Sequence, residues 1–233
     1  MFSILFLTFQ LLTPEQIGFY VSNLTKASRS RNKDSLLYYY NELRNKANPR
    51  EENYLYAYAN GLAIFLILTS DTLYAKEHYV DSAIFYLEKC TQLKPDFSDA
   101  YAVLGSLYGM KAIMNLSRVV YWGKRSEEAF QKAKSLDPEN PRVYYLEGIS
   151  FFFRPKTFGG GKEKAKEYFE KALVLFQKEK NPLSWGYMEC EAFLGFVYEK
   201  MNMKEKAIKV YDEILQQEPT YLWVKEARQK LKN

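Results

Sequence analysis

The stretch EAFLGFVYEKMNMKEKAIKVYDEILQQEP, residues 191–219, decides the fold of this chain. In its first half, Gly195 and Tyr198 stand three residues apart and share one face of a helix. In its second half, Ala207 and Tyr211 stand four residues apart and share one face of another helix. Small residues allow two backbones to approach closely, and large residues fill the grooves between them. The stretch therefore predicts two amphipathic helices packed as an antiparallel hairpin.

The same pattern recurs upstream, so the chain contains an internal repeat. Cys90 precedes Gly105 by the same number of residues as Ala133 precedes Gly148, which indicates a turn of constant length between successive hairpins. A repeat of this kind predicts stacked helical hairpins, each of which buries its apolar face against its neighbours. The positions assigned to the repeat are Gly105, Tyr108, Ala133, Gly148, Ala172, Gly195, Tyr198 and Ala207.

In type and spacing, these residues resemble the tetratricopeptide repeat (TPR). The resemblance implies an all-α fold, a right-handed α-solenoid of about five TPR-like antiparallel helix pairs followed by a C-terminal capping helix. It also implies a non-catalytic scaffold that holds a protein or peptide partner on its concave face. The chain then divides into a signal-like segment or first helix (1–13), a degenerate N-terminal hairpin or cap (14–50), repeat hairpins over 51–219 (about 51–97, 98–139, 140–183 and 184–219) and a capping helix (220–233).

Two departures from regular spacing predict local structure. Gly105 and Ala133 are further apart than the matching positions of the last hairpin, and the apolar stretches 112–114 and 119–122 predict longer helices there rather than loops. The segment RPKTFGGG, residues 154–161, predicts a helix-to-helix turn that packs Phe158 inward. A phosphate site is disfavoured, because no strand precedes this turn and no Gly-Lys-Ser/Thr follows it.

A second resemblance covers residues 93–195 and includes Asn140-Pro141, the Phe158–Gly161 turn and Trp185-Gly186. This region is similar to exported bacterial TPR proteins of unassigned activity. More weakly, the glycine turn leading into the Lys164-Ala165 helix resembles the periplasmic repeat proteins that accompany tripartite (TRAP-type) solute transporters. That likeness implies an alternative function, an extracytoplasmic accessory protein that binds a small apolar ligand.

The first residues suggest export. Phe2–Leu12 is an apolar run closed by Thr13-Pro14, of signal-peptide length and too short to span a bilayer as a helix. The sequence therefore predicts a periplasmic or exported protein, with possible peripheral association with the envelope. The alternative is a cytoplasmic protein whose first helix is buried against the end of the solenoid.

The composition predicts a folded protein, and the modest net charge does not indicate nucleic-acid binding. Hydrophobic residues make up 47% and charged residues 26% of 233 residues, and the net charge is +5. The basic cluster Lys26–Lys33 has no aromatic pattern for stacking on bases, so a solvated turn is predicted there.

Catalytic and metal-binding patterns are missing from the sequence. Cys90 and Cys190 lie two hairpins apart and are interpreted as small buried apolar residues, and the single histidine, His78, as a solvated residue near a helix start. We therefore predict no enzymatic activity, no metal and no cofactor.

The concave face supplies the candidate binding residues. In such a solenoid, residues three before, one after and four after the central glycine of each first helix form one stripe, here called the inner stripe. Most are apolar or aromatic, whereas repeat proteins that grip the acidic tails of heat-shock chaperones place Lys, Arg and Asn there, so that role is disfavoured. Two interpretations stay open: a groove for apolar side chains of a peptide or for a small apolar ligand, or simply core. The candidates are Tyr58, Leu62, Phe65, Ser106, Tyr145, Ile149, Phe152 and Phe196.

Overall fold

The computed structural model describes residues 12–46, 54–70, 77–181 and 183–231, and all regular secondary structure within these ranges is helical. The eleven α-helices found there are α1 (Pro14–Arg29), α2 (Lys33–Lys46), α3 (Tyr54–Ser70), α4 (Glu77–Leu93), α5 (Ser98–Met114), α6 (Val119–Leu136), α7 (Pro141–Phe153), α8 (Lys162–Phe176), α9 (Tyr187–Lys200), α10 (Lys204–Gln217) and α11 (Leu222–Lys230).

The helices pack in sequence order. Each odd-numbered helix from α1 to α9 packs on the helix that follows it, and successive odd-numbered helices up to α9 also contact one another. The last helix, α11, packs on α10. The result is five helix pairs followed by one capping helix, which confirms the predicted all-α solenoid.

Glycines stand where paired helices cross. A methyl group placed on Gly105 would lie 2.9 Å from the Phe130 ring, and one on Gly148 would lie 2.8 Å from Phe169. Gly61 faces Leu87 and Gly195 faces Tyr211 in the same way. In these four hairpins a large side chain of the second helix therefore occupies the space that a side chain on the first helix would need. The other repeat positions Ala133, Ala172 and Ala207 are fully buried, Tyr108 is buried and Tyr198 is half-buried.

Helix ends follow the local chemistry. Thr13 and Gln16 form a capping box at the start of α1, in which each side chain accepts a hydrogen bond from the backbone N–H of the other residue. Asn140 caps α7, and Pro141 occupies its first turn. The extra residues of the third hairpin lengthen α5 and α6 and form a short 3-10 turn between them (Leu116–Arg118). Longer helices were predicted there.

The glycine turn before α8 differs from its prediction in one respect. Gly159 and Gly161 have φ angles of +76° and +148°, and a methyl group on Gly160 would lie 1.9 Å from the carbonyl oxygen of Arg154. The backbone of Gly160 thus packs against the end of α7, where the ring of Phe158 was expected. Phe158 is 60% exposed, so the prediction that it packs inward is wrong.

The predicted signal-like segment lies mostly outside the described residues, which begin at Leu12, so export stays a prediction. Among the helices that the structure describes, none combines the length and the apolar character that a bilayer crossing requires.

Candidate partner-binding surface

The inner side of the solenoid is partly filled by the connection between α8 and α9. Ala172 and Gly195 are further apart than Ala133 and Gly148, and the extra residues include Trp185. The Trp185 indole is buried and donates a hydrogen bond of 3.0 Å to the Tyr58 hydroxyl of α3. This contact joins the second hairpin to the connection between the fourth and the fifth.

The first hairpin also reaches the end of the chain. Arg29, at the end of α1, forms an ion pair of 2.6 Å with Glu189 of α9, and both side chains are largely buried. Arg31, in the following turn, pairs with Glu226 of α11 at 3.1 Å near the surface. The basic cluster at Lys26–Lys33 was predicted to be a solvated turn, but its arginines dock on acidic residues of the last helices.

These contacts divide the inner stripe into a buried part and a half-exposed part. Tyr58, Leu62, Phe65 and Tyr145 expose 5% of their surface or less, and Ser106 is also buried. Burial also holds the pKa values of the two tyrosine hydroxyls well above their ordinary value, so both stay neutral. For all five residues, burial favours the interpretation as core, and Trp185 contacts three of them, Tyr58, Phe65 and Tyr145.

Three candidates of the inner stripe keep exposed surface: Ile149, Phe152 and Phe196 are half-buried. A binding role for the inner stripe stays a prediction, and burial restricts it to these residues. Sequence reasoning did not include the neighbours that extend this surface, Phe193 and Trp223, although both lie on predicted helices.

Four rings form what we call the aromatic row. The centroids of Phe152 and Phe196 are 5.2 Å apart, those of Phe196 and Trp223 are 5.9 Å apart, and those of Phe193 and Trp223 are 5.5 Å apart. The ammonium of Lys200 lies 4.8 Å from the centroid of Phe196. All four rings are half-buried, so each keeps some accessible surface, while Phe193 also packs on Tyr145 and Phe169. Rings held at such spacings contribute apolar contact area at little cost in side-chain entropy.

A buried arginine, Arg142, pairs with two carboxylates near the start of α7. Arg142 of α7 is fully buried between Asp99 of α5 and Glu179 after α8, with Nη2 donating to a Glu179 oxygen at 3.1 Å and Nε 3.8 Å from Asp99. Asn140 donates to Asp99 at 2.6 Å. These residues line a polar cleft of about 290 Å³ that also contains Asp137. Because its buried arginine pairs with Asp99 and Glu179, we assign the cleft a structural role.

Both cysteines are free and buried, as predicted. Burial, reinforced by the charge of Asp99, raises the pKa of the Cys90 thiol to about 12, and burial raises the pKa of the Cys190 thiol well above its ordinary value. Thiolates are therefore scarce at neutral pH.

We expect iodoacetamide to label neither cysteine in the folded protein and both in denaturant, as measured by intact mass. Rapid labelling of the native protein at neutral pH would contradict this burial.

His78 is exposed in the first turn of α4, as predicted. Across the described ranges, no three His, Cys, Asp or Glu side chains are grouped so that they could hold a metal ion.

Comparison with known proteins supports the repeat. The family model of the tetratricopeptide repeat matches residues 72–97 and 192–221. No curated protein matches the sequence significantly. The fold is similar to that of the TPR protein TTC0263 of Thermus thermophilus, with a TM-score of 0.57 and 16% identity over 91% of this chain and 98% of that one. It is also similar to the HusA haemophore of Porphyromonas gingivalis, with a TM-score of 0.62 and 20% identity over 79% of this chain and 92% of that one.

Proposed function

We propose that this chain, in which two segments match the tetratricopeptide-repeat model, is a non-catalytic scaffold that holds a protein partner on its aromatic row. Solenoids of this family generally bind protein partners. The single observation that carries the choice of surface is the set of half-exposed rings on α7, α9 and α11, spaced 5.2 to 5.9 Å apart.

The chemistry of the row favours an apolar peptide segment. Its exposed faces offer rings but few hydrogen-bond donors, so the partner contributes aliphatic or aromatic side chains rather than a carboxylate tail. Lys200 stands beside Phe196 and provides one cation at the margin. A partner segment with apolar anchors and an acidic residue at one end fits this arrangement.

The experiment is site-specific photo-crosslinking in native cells. A benzophenone side chain in place of Phe152 is expected to capture a protein that the same group in place of Phe85, an exposed ring on α4, does not capture. With the captured partner purified, Phe152→Ala and Phe196→Ala are each expected to weaken binding about tenfold or more, as interface rings do, while Phe85→Ala leaves the affinity unchanged. Equal capture at both sites would contradict the proposal.

Loss of affinity must be separated from loss of folding. Both rings are half-buried, so each alanine variant also lowers the free energy of unfolding, and binding is compared at a temperature at which thermal melting shows every variant folded. If affinity falls only in parallel with the folded fraction, the rings are core and not a binding surface.

The alternative is a small apolar ligand on the same rings. One structural neighbour is a haemophore, but at 20% identity that likeness shows the fold alone. The polar cleft beside Arg142 does not fit such a ligand, so the aromatic row is the place to test. Quenching of tryptophan fluorescence by a planar apolar probe such as protoporphyrin, lost in Phe196→Ala and retained in Phe85→Ala, would favour this alternative if crosslinking captured no protein.

Export belongs to the same proposal. The apolar run Phe2–Leu12 supports it, and the test is fractionation of cells that carry the full gene. Recovery of the protein in the cytosolic fraction alone would count against a periplasmic location.

A further inference from the structure

The turns that join the helices of neighbouring hairpins lie side by side on one edge of the solenoid. A methyl group on Gly109 of α5 would lie 3.9 Å from the Ser150 hydroxyl of α7, so these two helices are level at that point. Each helix ends within about six residues of it, which is less than two helical turns. The segments 113–121 and 153–162, each made of two helix ends and the turn between them, therefore lie on one edge, here called the tip edge.

The next turn continues this edge. The Lys162 ammonium, at the start of α8, donates to the backbone carbonyl oxygen of Lys200, at the end of α9. The tips of three successive hairpins thus stand in a row.

The tip edge exposes large apolar side chains. Leu116 and Val120 are each 75% exposed, and Ile113, Phe153 and Phe158 are also exposed. Single exposed apolar residues are ordinary, but several on adjacent projecting turns mark an interaction surface. Nothing in the packing of α5 to α8 requires them, since the helix crossings are filled by Phe130 and Phe169.

Basic residues predominate on this edge, and the exposed acids Glu128 and Glu163 stand at its margins. The sequence has no acidic residue in 100–126 or in 148–162. Exposed cations lie beside the apolar tips, among them Arg118, Lys124 and Lys156. The opposite edge exposes Asp96, Asp137 and Glu139. The opposite edge also carries Lys178 and Lys180, so its charges are mixed, whereas the tip edge is apolar and mainly basic.

We propose that the tip edge docks on the surface of an anionic phospholipid bilayer. Leu116, Val120 and Phe158 enter the interface between headgroups and acyl chains, and the neighbouring cations meet lipid phosphates. A fluid interface accepts aliphatic side chains on separate projecting turns without matching pockets. Nucleic acid fits less well, because the two most exposed apolar side chains, Leu116 and Val120, are aliphatic and cannot stack on bases.

The tip edge adjoins the aromatic row at Phe153, whose ring centroid is 5.0 Å from that of Phe152. The residues varied below, Leu116, Arg118 and Val120, lie in another hairpin, so the two proposals can fail separately. The test uses the full-length protein and flotation with vesicles of phosphatidylcholine, with or without phosphatidylglycerol. The wild type is expected to float with the anionic vesicles and to remain at the bottom with the neutral ones. Raising the salt concentration is expected to weaken flotation, because each cation near the surface contributes about a fivefold change in partition.

Substitutions on the tip edge test whether this surface makes the contact with the vesicles. Leu116→Ser combined with Val120→Ser is expected to lower the partition coefficient at least about tenfold, and Arg118→Glu about twentyfold. The matched controls are Val174→Ser, an exposed apolar residue of α8, and Lys209→Glu, an exposed cation of α10. Both controls are expected to float like the wild type, and all variants to melt like it.

Four results would overturn the proposal. They are equal flotation with neutral and anionic vesicles, no flotation with either, equal loss in the control variants, and retention on immobilised polyuridylate without vesicle binding. Capture of the protein partner at the Phe152 position is expected to persist in the Leu116 and Arg118 variants. Its persistence would show that a failure at the tip edge leaves the scaffold proposal standing.

Discussion

Replacing Arg142 with methionine is expected to lower the free energy of unfolding by about 3–5 kcal/mol, because it leaves two carboxylates buried without a cation. The Arg142 side chain is only 1% exposed and lies between Asp99 and Glu179. Its guanidinium also lies 5.6 Å from the ring centroid of Trp185. The substitution therefore loosens both the start of α7 and the connection that fills the inner side of the solenoid. Equilibrium urea unfolding followed by circular dichroism measures the change.

A matched arginine provides the control. Arg31 pairs with Glu226 near the surface, so Arg31→Met is expected to cost about 1 kcal/mol or less. Removing all three buried charges, with Asp99→Asn and Glu179→Gln added to Arg142→Met, is expected to recover stability relative to the single variant, since neutral amides are less costly to bury. If Arg142→Met cost no more than Arg31→Met, the guanidinium would not be neutralising buried carboxylates.

The features that sequence reasoning predicted are those set by neighbours along the chain. Gly105 and Ala133 lie in one hairpin, and their residue types and spacing already specify which faces meet. The longer helices α5 and α6 followed from the same periodicity. The pairing of helices is local in this sense throughout the solenoid, because each hairpin contacts mainly its neighbours.

The closure of the inner side could not be predicted in this way. Arg29 and Glu189 are 160 positions apart, and whether they meet depends on curvature accumulated over several hairpins. Most of the inner stripe became core for this reason. The longer separation of Ala172 from Gly195 did indicate extra residues between α8 and α9. The length of a connection does not show where its residues lie, so the inward position of Trp185 could not be predicted.

The repeat pattern also did not predict the positions of individual side chains at turns. Phe158 was expected to pack inward because apolar rings usually do, yet the close approach of Gly160 to the Arg154 carbonyl fills the space with backbone. The burial of Arg142 could not be predicted, because its partners are distant in sequence: Asp99 lies in α5 and Glu179 lies after α8. Burial of a charge is a property of the assembled fold rather than of any local spacing.

Replacing Gly105 with leucine is expected to cost at least about 1–3 kcal/mol, even though leucine is a better helix former than glycine by nearly 1 kcal/mol. Already the first side-chain carbon would lie 2.9 Å from three atoms of the Phe130 ring. That ring is fully buried in a close-packed core, so it can yield only if neighbouring side chains shift or α5 and α6 separate. Gly195→Leu is expected to act in the same way, because the added carbon would lie 2.7 Å from Tyr211.

Gly123 is the control that separates packing from helix propensity. It lies inside α6, and a methyl group placed on it would meet no atom within 4 Å. Gly123→Ala is therefore expected to raise the free energy of unfolding by about 0.5–1 kcal/mol. Combining Gly105→Ala with Phe130→Leu is expected to cost less than the sum of the two single changes, since the smaller side chain removes the clash and the added methyl group fills part of the space that the ring leaves. A Gly105→Leu protein that melts like the wild type would show that the two helices do not cross at this glycine.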